Sequence, residues 1–197
     1  MDREDIIGYI MMLFVLLFCL KMYYESDAFN LKCIYSDVDG KKYCVRERAK
    51  LELAADLLAT TAQKCEEIVK YMDKTYKDKE NVKRLVAKYN PTTLKETLPT
   101  SELTAYSENK GEKLAFCLNK KKGGSELIDQ NTLIFVAMHE LSHIMTVSIG
   151  HTREFWLNFK FLLENAVKIG IYDPKDYKKK PQSYCGMTLS DNPYYDM

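Results

Sequence analysis

From Ile6 to Leu20 the chain reads IIGYIMMLFVLLFCL, without a charged residue. No polar face recurs in it at helical spacing, so it lacks the two-sided character of a helix packed on a soluble core. Counted to Tyr24, with Lys21 as one snorkelling cation, the stretch has 19 residues. That is close to the ~20 needed to cross hydrocarbon. Tyr23 and Tyr24 fall where an interfacial aromatic belt would sit. A cleaved signal peptide and a buried soluble helix are the competing readings. A signal peptide begins with a basic region, whereas Asp2, Arg3, Glu4 and Asp5 are mostly acidic, and no small-x-small cleavage site follows the apolar run. The expectation is an uncleaved anchor over residues 1–24, in contact with a membrane through residues 6–24. Arg3 lies before the segment and Lys21 and Lys32 after it, so charge leaves the orientation open.

Beyond residue 24 the pattern predicts an α+β domain over residues 25–197. Residues 31 to 46 have a hairpin pattern, with Asp39-Gly40 as the turn between runs containing Ile34, Tyr35, Tyr43 and Val45. With Asp37 to Gly40 as the loop, Cys33 faces Cys44. A disulfide and two reduced, half-buried thiols are then both open. From about Arg46 to Tyr76, Leu51, Ala54, Leu58, Thr61, Cys65, Ile68 and Met72 recur at three and four, a stripe that predicts a helix packed on a core. Self-association through the stripe is the alternative. A shorter helix carrying Val82, Leu85, Val86 and Tyr89 ends at Asn90-Pro91. Leu103 to Ser107 and Lys113 to Leu118 follow as strands. The loop Asn119 to Ser125 holds Lys120, Lys121 and Lys122, a solvated turn or a contact for phosphate or a lipid headgroup. Asn131 to Ser148 has helical spacing. So has the run of Trp156, Phe159, Leu162, Leu163, Val167 and Ile169, which predicts a core-facing helix without a chemical role.

The composition changes little in this picture. The 197 residues carry 29 Lys and Arg against 28 Asp and Glu, a net charge of +1. That balance argues against nucleic acid or an acidic partner held by charge alone. Six cysteines without a CxxC pair exclude a cysteine-built zinc finger, and their density is too low for a disulfide-framed miniprotein. Cys185 has Cys117 or Cys44 as possible partners, or stays free. An oxidised Cys33–Cys44 pair would point to an oxidising compartment.

The chemistry is concentrated between residues 139 and 151. His139-Glu140-Leu141-Ser142-His143 lies within the last long helix but one. Histidines at i and i+4 share a face one turn apart, so both imidazoles can reach one ion. Glu140 stands beside the first of them, where a carboxylate reaches a water on that ion. The chain has three histidines in all. The third, His151, follows Ile149-Gly150, a helix stop that lets the chain turn back toward the same ion. Three protein ligands with an open fourth position make a catalytic zinc site. Glu164 and Glu154 are the competing third ligands. The spacing HExxHxxGxxH is absent, which argues against the metzincin arrangement. Arg153, Tyr172, Tyr177 and Tyr184 are candidate stabilisers of a tetrahedral oxyanion, and each tyrosine also suits a packing role. The strand Lys113 to Leu118 could offer an edge to an extended substrate.

The run MHELSHIMTVSIGHTREFW resembles the WLM and SprT-like metallopeptidases, in which HExxH is followed by a short spacer, a histidine and an aromatic-bearing helix. Here those positions are His139, Glu140, His143 and His151, with Phe155 and Trp156 after them. The chain is more similar still to the WLM-type proteins of large nucleocytoplasmic DNA viruses, through NKGEKLAFCL, FLLENAVKIGIYDPKDY and YCGM. The resemblance spans most of residues 40 to 197. It implies a zincin-like fold with a small, antiparallel-containing sheet beside the metal helix. It also implies one catalytic Zn2+ held by His139, His143 and His151, with Glu140 as general base. Cellular DNA-repair members carry DNA-binding extensions, where this chain has its apolar N-terminus.

Together these readings predict a membrane-anchored, zinc-dependent peptidase on a host or virion membrane. Two other classes compete. One is a catalytically silent structural or interaction protein of a viral membrane that keeps the zincin fold. The other is a protease of DNA–protein crosslinks, to which a charge of +1 and an anchor lend little. Nothing in the pattern selects a substrate or an oligomeric state.

Overall fold

The computed structural model describes residues 3–24 and 31–196. Met1, Asp2, residues 25–30 and Met197 lie outside the described residues, and with them the expected boundary between anchor and domain. Helix α1 spans Arg3–Tyr24. Its 22 residues, at a rise of 1.5 Å each, make a rod of about 33 Å, slightly more than a hydrocarbon core of about 30 Å. Asp5–Tyr24 is long and apolar enough to cross a membrane, and none of that window is buried against the rest of the chain. Phe14, Val15 and Phe18 are each more than half exposed. A bare surface of this size needs lipid or a partner to remove it from water.

Strands β1 (Leu31–Tyr35) and β2 (Lys42–Arg46) pair antiparallel with Cys33 opposite Cys44, and the two thiols form a disulfide. Gly40, at φ +66°, supplies the left-handed residue of the turn. Arg46 does not open the long helix, as its place before the periodic stripe suggested. It closes β2, and its N–H donates to the buried Glu96 carboxylate at 2.7 Å. Arg48 pairs with the same carboxylate through its guanidinium.

Helix α2 therefore runs Leu51–Tyr76, and the expected stripe of Ala54, Leu58, Thr61, Cys65, Ile68 and Met72 is buried. Side chains such as Leu58 and Ile68, removed wholly from water, contribute about 1.5–3 kcal/mol each. Helix α3 (Glu80–Lys88) buries Val82 and Leu85 and gives way at Asn90-Pro91 to a single 3-10 turn, Pro91–Thr93. Three strands then form one sheet in the order β3-β5-β4, with β3 at Leu94–Glu96, β4 at Ala105–Glu108 and β5 at Lys113–Phe116. The central β5 runs parallel to β3 and antiparallel to β4. Position β5 thus has neighbours on both sides, and the expectation that it offers a free edge is corrected: the edge beside the cleft described below is β4.

Helix α4 (Gln130–Met145) is the axis of the domain. Asp129 caps it by accepting from Thr132 N–H at 3.0 Å. Helices α2, α3 and α5 (Arg153–Lys168) pack on α4 from one side, and β4 and β5 from the other. A helix enclosed in this way buries residues around its whole circumference, which is why Leu133, Ile134, Phe135, Val136, Ala137 and Met138 are apolar in succession. It ends at Met145 and not at Ser148. Thr146 is extended, and its hydroxyl donates to Ser142 C=O at 2.7 Å. A final hairpin, β6 (Gln182–Tyr184) and β7 (Met187–Leu189), is tied by a Cys117–Cys185 disulfide to the residue after β5. Cys185 N–H and Gly186 N–H also donate to Asn119 C=O and Lys120 C=O, both at 2.9 Å. The fold is thus a mixed α+β domain with small sheets and one apolar N-terminal helix.

Candidate metal centre

The two turns of α4 after Met138 carry His139 and His143 on one face. The chain then leaves the helix, crosses the four residues 146–149, turns at Gly150 (φ +82°) and presents His151. The expected role of Gly150 as a helix stop is therefore corrected: the helix has already ended, and the glycine bends the loop. Thr152 next caps α5, accepting from Phe155 N–H at 3.5 Å, and its hydroxyl lies 2.7 Å from that of Ser148. His151 is fixed between the loop and the first turn of α5.

His139 Nε2 lies 3.2 Å from His143 Nε2 and 3.0 Å from His151 Nε2. The ligand atoms of all three lie within 4.8 Å of one another, and the group could hold a metal ion. Two nitrogens at ~2.0–2.1 Å from one tetrahedral ion stand roughly 3.3 Å apart. The two separations from His139 are close to that value. His139 Nε2 carries either one proton or one lone pair, so a single N–H···N bond can join it to one of the other rings, whereas an ion would engage all three nitrogens at once. Burial and the neighbouring rings hold His139 down to about 3, and burial, followed by the charge of His151, holds His143 to about 4. Both rings are neutral through the physiological range, the form a cation binds.

Glu140 follows on the cleft side, almost wholly buried, and burial lifts its carboxyl to about 8. The alternative third ligands are engaged elsewhere. Glu154 accepts from Val147 N–H at 3.1 Å and Ser148 N–H at 3.3 Å, and Glu164 lies along α5 opposite Lys160. Arg153 lines a separate hollow with Trp156 and Asp196. Among the three tyrosines, Tyr184 alone borders the site, and its hydroxyl donates to Thr104 C=O at 3.2 Å. It holds the chain leading into β4. Tyr172 and Tyr177 pack against Phe135.

Phe155, which the family resemblance gave only as an aromatic following His151, lies at the site. Its ring lies 4.3 Å from that of His143 and 4.7–4.8 Å from those of His151 and His139. Phe159 backs His139 at 5.2 Å. These buried rings form an apolar floor beneath the imidazoles. The position of Phe155 one turn after His151, on the aromatic-bearing helix of the resemblance, was the signal for it.

The triad opens into a cleft of about 760 Å³. One wall is Leu103 to Ser107, the second is the loop Ser148 to His151, and Tyr184, Met187 and Leu189 close the far end. The walls are mostly apolar. Ile149, at 91% exposure, and Leu103 and Met187 stand at the rim. The Cys117 N–H to Thr104 C=O bond sets the alternation of the ladder, so the backbone groups of Ala105 and Ser107 point away from β5 toward the cleft.

No family model matches the chain. It is 28% identical to protein R325 of Acanthamoeba polyphaga mimivirus over 181 residues, which cover 90% of either chain. Over 81 residues it is 36% identical to protein 136R of Invertebrate iridescent virus 6, covering 41% of this chain and 44% of that one. Among solved structures it is similar to Wss1 from Saccharomyces cerevisiae at a TM-score of 0.46, with 20% identity over 62% of this chain and 83% of the other.

Proposed function

We propose that this is a viral, membrane-anchored zinc peptidase with a zincin-like domain. The observation that carries the reading is the convergence of three imidazoles beside a buried carboxylate in an open cleft. His139, His143 and His151 would hold the ion. When bound, zinc supplies Lewis acidity, activating water and polarising a carbonyl. Glu140 takes the proton of the attacking water on its carboxylate and delivers it to the amine nitrogen that leaves. The ionised carboxylate required for this is favoured by an adjacent cation, which offsets the burial that otherwise keeps it protonated. Phe155 and Phe159 exclude water beneath the histidines. The outward backbone groups of Ala105 and Ser107 suit an extended peptide that adds a strand to β4. The apolar walls suit a substrate with bulky apolar side chains near the scissile bond. Helix α1, crossing a membrane through residues 6–24, would hold the domain at that surface.

The test is zinc content and peptide cleavage by the full-length chain in detergent. About one zinc per chain is expected, lost in His143→Ala. Glu140→Gln should keep the zinc and cleave ~10²–10⁴-fold more slowly. Cleavage by Glu140→Gln at the wild-type rate would overturn the mechanism. Zinc without turnover in the wild type would favour a silent structural protein, and turnover that requires nucleic acid would favour the crosslink protease.

A further inference from the structure

The loop that delivers His151 has almost nothing apolar to hold it. Val147 and Ile149 are exposed at 64% and 91%, and His151 itself is exposed. A segment of this kind keeps one conformation only if its polar backbone is fixed. Two side chains of opposite charge, from different parts of the fold, do this. The Lys110 ammonium donates to Thr146 C=O and Val147 C=O at 2.6 Å and to Ser148 C=O at 3.1 Å. An ammonium has three donors, and all three are used on consecutive carbonyls. The Glu154 carboxylate accepts from Val147 N–H, Ser148 N–H and the Ser148 hydroxyl at 3.0–3.3 Å. Val147 and Ser148 are therefore gripped through both their N–H and their C=O groups. Arg84 adds a bond to Met145 C=O at the end of α4.

Lys110 is itself held in place. It lies at φ +57° in the turn between β4 and β5, and the next residue, Gly111, lies at φ +114° against α3. A Cβ on Gly111 would fall 2.5 Å from Lys88 C=O, so the turn sits directly on the end of that helix. Glu154 is in the first turn of α5, three residues after His151.

We infer that Lys110 and Glu154 are positioning residues for the third metal ligand: together they hold the 146–148 backbone so that His151 meets His139 and His143. This rests on the reading of the triad as a zinc site. A simple helix-capping role would affect stability alone. A positioning role acts on the metal through His151.

The experiment compares full-length wild type, Lys110→Met, Glu154→Gln and His151→Ala in detergent micelles. Zinc affinity is read by competition with a chelator, and ligand geometry by the visible absorption of the cobalt-substituted protein. Lys110→Met and Glu154→Gln are each expected to weaken zinc binding about 10–100-fold. Their cobalt spectra should shift toward that of His151→Ala. In a His151→Ala background the same substitutions should change affinity by less than about twofold, because the ligand they position is gone. Glu154→Gln keeps the shape and one acceptor, and decides the matter if Lys110→Met does not fold. Wild-type affinity and spectrum in the folded variants would overturn the inference alone, as would an equal loss with His151 already removed. A wild type that takes up no zinc would overturn the metal reading and this inference with it.

Discussion

His139 and His143 have lost the tendency to protonate, and Glu140 has lost the tendency to ionise. Unfolded, the two histidines take up protons below their ordinary value of 6.5, whereas the folded protein resists this down to about 3 and 4. Their contribution to stability is present above pH 6.5 and is lost as the pH falls below it. Glu140 acts in the opposite sense. Its folded carboxyl keeps the proton to about 8 against an ordinary 4.5, so its contribution is present below 4.5 and lost as the pH rises toward 8. Between 4.5 and 6.5 two groups gain with pH and one loses; above 6.5 only the loss remains. Chelator-treated protein should therefore show a thermal midpoint that peaks near pH 6.5, and Glu140→Gln should flatten the fall from 6.5 to 8. A midpoint that falls just as steeply in the variant would exclude this carboxyl as the cause. The meeting of the three histidines was legible in the sequence, because i, i+4 spacing and a following glycine are local signals. Lys110 was not legible as a site residue, because it is brought in by a turn 36 residues away from its partner carbonyl, and Phe155 was legible only as an aromatic following His151, because nothing local shows that its ring lies under all three histidines.

At the scale of elements, long amphipathic runs were readable and short ones were not. Helix α2 shows its buried face over 26 residues, enough for a period to emerge. Strands β3, β6 and β7 have three residues each, too few for alternation to register. Strand β3 exists because Leu94 to Glu96 pair with β5 and Glu96 receives Arg46 and Arg48, all contacts distant in sequence. Missing it placed β5 at an edge when it is central. If β4 receives the substrate, Ser107→Pro removes one outward N–H. The expected result is a KM raised about fivefold, the value of a single hydrogen bond of ~1 kcal/mol, with zinc content unchanged. An unaltered KM would separate substrate binding from the β4 edge. The floor beneath the triad has its own test. Phe155→Ala should cost about 3–5 kcal/mol in denaturant unfolding, since its ring is fully buried.

For the whole molecule, the apolar N-terminus was plain from composition, because a run without charge needs no partner to be recognised. If α1 crosses a bilayer, the full-length protein should stay with membranes through alkaline carbonate extraction, and a chain lacking residues 1–24 should be released. Retention of the shortened chain would assign membrane contact to the domain itself. The disulfide pairing was legible only in part. Cys33 and Cys44 face each other in a local hairpin, whereas Cys117 and Cys185 are 68 residues apart and meet only in the finished fold. That second bond spans α4, the histidine loop and α5, and so makes a covalent ring of the half of the protein that carries the three histidines. One peptide bond cut anywhere in that ring, by the protein itself or by another protease, releases no fragment. The nicked chain keeps its full mass until a thiol reductant opens the bridge. Damage or self-processing inside the ring would therefore go unseen on a gel run without reductant, and two bands would emerge from one on the gel run with it.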